Sequence, residues 1–138
     1  MNETNLIDDF LENDPEMIEC FIEESKSCLQ TAKKSLILLK EEQMTDNETL
    51  MEEAFRSVHS IKSSAGFLSL EKLVRLSMVM EDILDQFRKG KLRVEDESLD
   101  TILKGIGVMD NMLQNIENID EMDTTELQIA LSDMICRK

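Results

Sequence analysis

Apolar residues recur every three or four positions along successive stretches of the chain, the spacing of a single buried face on an α-helix. Met17, Phe21, Cys28, Leu29, Leu36 and Leu39 form one such stripe. Asp14 followed by Pro15 is an N-cap and first-turn signal ahead of it, so a helix is expected over about 15–41, after a short amphipathic piece over about 4–12. Thr45 to Glu48, reading TDNE, is a capping box that opens a second helix, whose stripe is Met51, Ala54, Phe55, Val58, Ile61 and Ala65. Ser69 is expected to cap a third helix with Leu73, Leu76, Met80, Leu84 and Phe87 on its inner face and Gly90 as its stop. A fourth should run from Asp96 to about Asn118. Asp123 to Glu126, reading DTTE, resembles a capping box at the start of a last helix that ends near Cys136.

Long helices with short connections favour antiparallel neighbours. The expected fold is all-α: an antiparallel up-down four-helix bundle over about 15–118, with an additional C-terminal helix over about 124–136, in a single domain spanning 1–138. Composition supports this. One Pro and four Gly among 138 residues leave little material for a loop-rich or β-rich fold. With five Phe and no Trp or Tyr, the core must be filled by Leu, Ile, Val and Met, and the ten methionines read as fillers of irregular gaps.

Charge narrows the partners. The net charge of -15 repels phosphate backbones and anionic lipid alike, so neither nucleic acid nor membrane insertion is expected. The N-terminal residues MNETNLIDDF lack the features of a secretion signal, and the expected location is the cytoplasm. Cys20, Cys28 and Cys136 have neither disulfide-framework nor zinc-site spacing and read as reduced helix-packing residues. No metal site is expected: one His with scattered acids lacks the paired Glu and Glu-x-x-His pattern of metal-binding bundles.

Against that background the stretch RSVHSIKSSAGFLSL, residues 56 to 70, is unusual. His59, the only histidine, falls well off the apolar stripe of its helix. Around it lie Phe55, Arg56, Lys62, Ser63 and Gly66, a flank that is basic, small and open. A glycine inside a helix costs about 1 kcal/mol relative to Ala, a local loss that access to the imidazole would explain. A lone exposed histidine is ordinarily just a surface residue, but two features weigh against that here. From Ala54 to Met80 the balance is +3, which leaves -18 on the rest of the -15 chain, so the histidine sits in a basic island suited to an anionic group. If the second and third helices form an antiparallel hairpin, His59 and Glu81 lie level, each about 15–18 Å from the turn. Glu81 could then accept the proton of one ring nitrogen and leave the other nucleophilic.

These residues carry a resemblance. FRSVHSIKSSAGFLSL followed by LSMVMEDILDQFRKGKL resembles the histidine phosphotransfer (HPt) domain, most of all the one at the N-terminus of the chemotaxis histidine kinase CheA. The likeness extends over nearly the whole chain. It implies that His59 is a phosphoacceptor that takes a phosphoryl group from ATP on a separate kinase catalytic domain and passes it to an aspartate of a response regulator receiver domain. It further implies that Glu81 orients the imidazole, that Lys62 partners the phosphoryl charge, and that Ser64, Ala65 and Gly66 form a small-residue shelf. Phe55, Arg56, Ser63, Gly66 and Met78 would then form the docking surface. The family usually has glycine at Ser63 and Ser69 and often a second histidine at Met78, so this site departs at three places. The chain has no P-loop or glycine-rich nucleotide loop, so no cofactor is expected on it; ATP and magnesium would be held by the partner domains. A free-standing phosphorelay protein and a non-catalytic helical interaction module remain open alternatives.

Overall fold

The computed structural model describes residues 6–41 and 47–136. They form α1 (Leu6–Asn13), α2 (Pro15–Glu41), α3 (Asn47–Phe67), α4 (Glu71–Arg88), α5 (Asp96–Gln114) and α6 (Thr125–Cys136), with a 3-10 helix over Ile116–Glu121 between the last two. Among the described residues there is no strand, and no helix is long and apolar enough to cross a membrane.

Helices α2 to α5 make the bundle, and polar cross-links fix their directions. Ser35 near the end of α2 donates to Glu53 near the start of α3. Arg88 in the last turn of α4 reaches Glu52 near the start of α3, and Lys40 at the end of α2 pairs with Asp100 near the start of α5. Bundle neighbours therefore run antiparallel. The fold is the all-α bundle expected from periodicity, with α6 packed on α4 and α5 as the additional C-terminal helix.

The inner faces also follow the period. Ala54, Val58, Leu73, Leu76, Met80 and Leu84 have no exposed surface. Met51, Met80, Met109 and Met112 are buried within the core. On α2 the stripe left out Ile18, which is buried beside Met17, and also the buried Ser25, Ala32 and Ser35, because small and polar residues carry little hydrophobic signal. Two cysteines depart from the packing role expected of them: Cys20 and Cys136 are exposed, Cys28 is half-buried, and all three are free. Cys20 points outward and its thiol donates to Glu24 one turn on.

The junctions hold most of the other differences. The TDNE stretch expected to open α3 lies largely outside the described residues. Ser69 does not cap α4; Leu70 occupies the N-cap position, with no side-chain hydrogen bond. Instead Ser69 ends α3 at φ +59°, with its N–H donating to the Gly66 carbonyl and the Leu70 N–H to the Ala65 carbonyl. That is a Schellman turn, which usually employs glycine at the left-handed position. Gly90 closes α4 in the same way, at φ +74°. Helix α5 stops at Gln114, short of Asn118, because Asn115 leaves helical geometry and turns its side-chain amide onto the Asn111 carbonyl. At α6 the expected box shifts by one residue: Asp123 accepts from the Thr125 N–H, and the Thr124 carbonyl receives the first helical bond from Gln128.

Candidate functional site

The antiparallel packing of α3 on α4 sets His59 opposite Glu81. Nδ1 of His59 is hydrogen-bonded to Oε2 of Glu81, and Nζ of Lys62 donates to Oε1 of the same carboxylate at 2.6 Å. Both carboxylate oxygens are thus engaged by α3. The Glu81 side chain is only 15% exposed, whereas that of His59 is 54% exposed. Burial pushes the Glu81 carboxyl up, but the hydrogen bonds from Lys62 and His59 outweigh it, and the group lies below its ordinary value.

The protonation pattern follows. An ionised carboxylate only accepts hydrogen bonds, so the shared proton belongs to Nδ1 of the imidazole. In the neutral ring, Nε2 then carries the lone pair.

His59, Lys62, Ser63 and Gly66 occupy one exposed to half-exposed face of α3, the other three each within about 60° of His59 on a helical wheel. A side chain at Gly66 would meet nothing within 4 Å, so the space beside the imidazole is open. The small-residue shelf is narrower than the resemblance implied. Ala65 is a core residue with no exposed surface, and Ser64 lies about 140° around the helix from His59. Met78 on α4 is 49% exposed and flanks His59 in an open groove of about 700 Å³. Arg56 is exposed and pairs with Glu52 one turn back, at 3.0 Å.

Beside Phe55, which the sequence singled out, the site includes residues that it did not: Arg88, Ser132 and Ile135. Arg88, seven residues beyond Glu81 on α4, places its guanidinium 4.0 Å from the centre of the Phe55 ring and is tied to Glu52 and Asp85. Phe55, half-buried, lies nearly parallel to the His59 imidazole, with centroids 6.1 Å apart and planes 12° apart. Ser132 and Ile135 of α6 line the far side of the groove. Helical spacing brings Phe55, four residues before His59, onto its flank, and puts Arg88 two turns after Glu81, though only the packing of α4 on α3 brings Arg88 over Phe55. Among the described residues, no group of three or more His, Cys, Asp and Glu side chains is arranged to hold a metal.

The fold and site together define a helical bundle that presents one histidine to solvent, with its inner nitrogen held by an acid of the adjacent helix. A model of the Hpt domain matches residues 16–119, and the chain belongs to that family. It is 29% identical over 106 residues to the chemotaxis protein CheA of Halobacterium salinarum, covering 77% of this chain and 16% of that one. It is 32% identical over 99 residues to CheA of Bacillus subtilis, covering 72% and 14%. The sensor histidine kinase CheAY of Helicobacter pylori is 31% identical over 103 residues, covering 75% and 13%. The chain thus spans about one sixth or less of the length of these relatives. A similar fold is found in the phosphorylated P1 domain of CheA3 from R. sphaeroides, solved in complex with CheY6, with a TM-score of 0.77 and 20% identity over 88% of this chain and 97% of that one.

Proposed function

We propose that this chain is the phosphotransfer domain of a CheA-type chemotaxis kinase, and that His59 carries the phosphoryl group. The observation that carries the reading is the imidazole itself: half-exposed, with Nδ1 bound to Glu81 and Nε2 left free to attack.

In the first step the Nε2 lone pair attacks the γ-phosphorus of ATP held by a separate kinase domain. A P–N bond forms, the P–O bond to the diphosphate breaks, and the leaving oxygen keeps its electron pair. The ring gains positive character as the bond forms. Glu81, fixed against Nδ1–H, neutralises it without reorganising. Lys62 spends one of its three N–H donors on Glu81 and has others to offer the phosphoryl oxygens. In the second step a carboxylate of a receiver domain attacks phosphorus, the P–N bond breaks and its electron pair returns to Nε2. Transfer of this kind needs alignment and charge neutralisation by magnesium and cationic groups. In this reading the kinase and receiver domains supply the nucleotide and metal, and this chain supplies the nucleophile and the docking face around Phe55, Arg56, Ser63, Gly66 and Met78.

The test is incubation of the chain with phosphoramidate, followed by intact mass, and then addition of a magnesium-loaded CheY-type receiver. One acid-labile adduct of about 80 Da, absent from His59→Gln and lost to the receiver, is the expected result. An adduct that survives in His59→Gln would move the site elsewhere.

A further inference from the structure

A hydrogen bond to Glu81 fixes the direction of the His59 Nδ1–H but leaves the ring free to rock about that bond. In-line attack needs the Nε2 lone pair aimed along one direction, so the ring plane requires a second constraint. Phe55 supplies the geometry for one. It stands one turn before His59, with its ring nearly parallel to the imidazole and the centroids within the range of offset stacking.

Phe55 is itself held. The Arg88 guanidinium lies over its ring at 4.0 Å, a cation–π arrangement. Arg88 is anchored in turn by Glu52 at 3.0 Å and Asp85 at 2.6 Å, so its plane is fixed from both α3 and α4. The chain of contacts runs from the carboxylates through Arg88 and Phe55 to the imidazole. Phe55 is half-buried, one edge packed against the core and the ring facing the groove that Arg88 also lines.

We propose that Phe55, clamped by Arg88, is a positioning residue that sets the plane of the His59 imidazole for phosphoryl transfer. This rests on the reading of His59 as the phosphoacceptor. A role in docking a partner would leave reaction with a small donor untouched, whereas a role in aiming the ring would not.

The experiment combines phosphorylation of the 138-residue chain by phosphoramidate with NMR of the imidazole in Phe55→Leu, Phe55→Tyr and Arg88→Gln. Leu keeps the bulk and loses the ring plane. Phe55→Leu should lower the phosphorylation rate about two- to tenfold, the range that one lost aromatic stack supplies, and Phe55→Tyr should restore it. Arg88→Gln should act in the same direction, and combining it with Phe55→Leu should add little, since both act through one contact. Carbon relaxation should show the His59 ring looser in Phe55→Leu and Arg88→Gln while both variants remain folded, and Phe55→Tyr should restore the ring order. Wild-type rate and ring order in Phe55→Leu would overturn the proposal. If the wild-type chain takes no phosphoryl group, the functional reading fails, while a ring ordered in wild type and loosened in Phe55→Leu would still establish the positioning role.

Discussion

Glu81 and His59 lie 22 residues apart in sequence and face each other across the α3–α4 interface, where Oε2 of the acid accepts the proton of Nδ1. Because Lys62 engages the other carboxylate oxygen, Glu81 is held from two sides, and the tautomer of the imidazole is set by the fold. The first consequences are kinetic. Glu81→Ala should slow phosphorylation of His59 by about ten- to a hundredfold, the cost of one charge-assisted hydrogen bond lost from the reacting state. The bundle should still fold, since Glu81 lies off the fully buried face, with a melting temperature lowered only by loss of the contacts to Lys62 and His59. Lys62→Ala should slow the reaction less and shorten the lifetime of the phosphohistidine. Unchanged rates in a phosphoramidate assay would remove either residue from the mechanism.

Acid should weaken the fold in a way traceable to the same residue. Although burial pushes the Glu81 carboxyl up, Lys62 and His59 bring it below its ordinary value. A carboxyl depressed on folding contributes stability that is fully present above its unfolded pKa, about 4.3, and is lost as pH falls through its folded value. Melting temperature measured from about pH 6 down to pH 3 should therefore fall more steeply in the wild-type chain than in Glu81→Gln. Parallel slopes would contradict the assignment. Glu52, Asp85 and Asp123 are lowered as well, so both proteins should retain a common acid limb.

What sequence could show, and what it could not, divides along physical lines. The stripe of α4 and the level of Glu81 against His59 were legible because helical period and rise are fixed quantities. Ser69 was misread because a serine before a helix has the chemistry of an N-cap, and nothing local reveals that the preceding helix needs a left-handed residue there. The early end of α5 hinged on a single asparagine side chain competing for a backbone carbonyl. Ala65 is buried as the helical period predicted, whereas the resemblance also counted it in an open shelf, because small residues fit both a shelf and a close helix contact. Arg88 stayed hidden because its role depends on which residue of α3 lies across from it, and that is a matter of packing.

Two serines stand at places that cost stability. Ser69 sits at φ +59°, and Ser77 buries its hydroxyl with no hydrogen-bond partner. Ser69→Gly should stabilise the chain by about 0.5–1 kcal/mol, the strain of a left-handed residue less the entropy of glycine. Ser77→Ala should add about 1 kcal/mol by removing an unpaired buried group. Denaturant midpoints at or below wild type would count against each.

The stretch KGIG in α5 offers an internal control. A Cβ at Gly105 would lie 2.6 Å from the Met80 sulfur, whereas one at Gly107 would meet nothing within 4 Å. Gly107→Ala should gain about 0.5–1 kcal/mol from helix propensity alone. Gly105→Ala should lose about 1 kcal/mol net, as α4 and α5 are forced apart or Met80 leaves its rotamer. Equal stabilities for the two variants would mean that the close approach at Gly105 is not a real constraint.

The central claim is that Glu81 holds Nδ1 and thereby leaves Nε2 as the nucleophile. Its most direct test is the bond that forms: phosphorylate the chain with phosphoramidate and record phosphorus and imidazole-nitrogen NMR spectra of the product. Phosphorus attached to Nε2 of His59, with the Nδ1 proton still protected, is the predicted result. Attachment at Nδ1, or a stable adduct on any other residue with His59 unmodified, would contradict it.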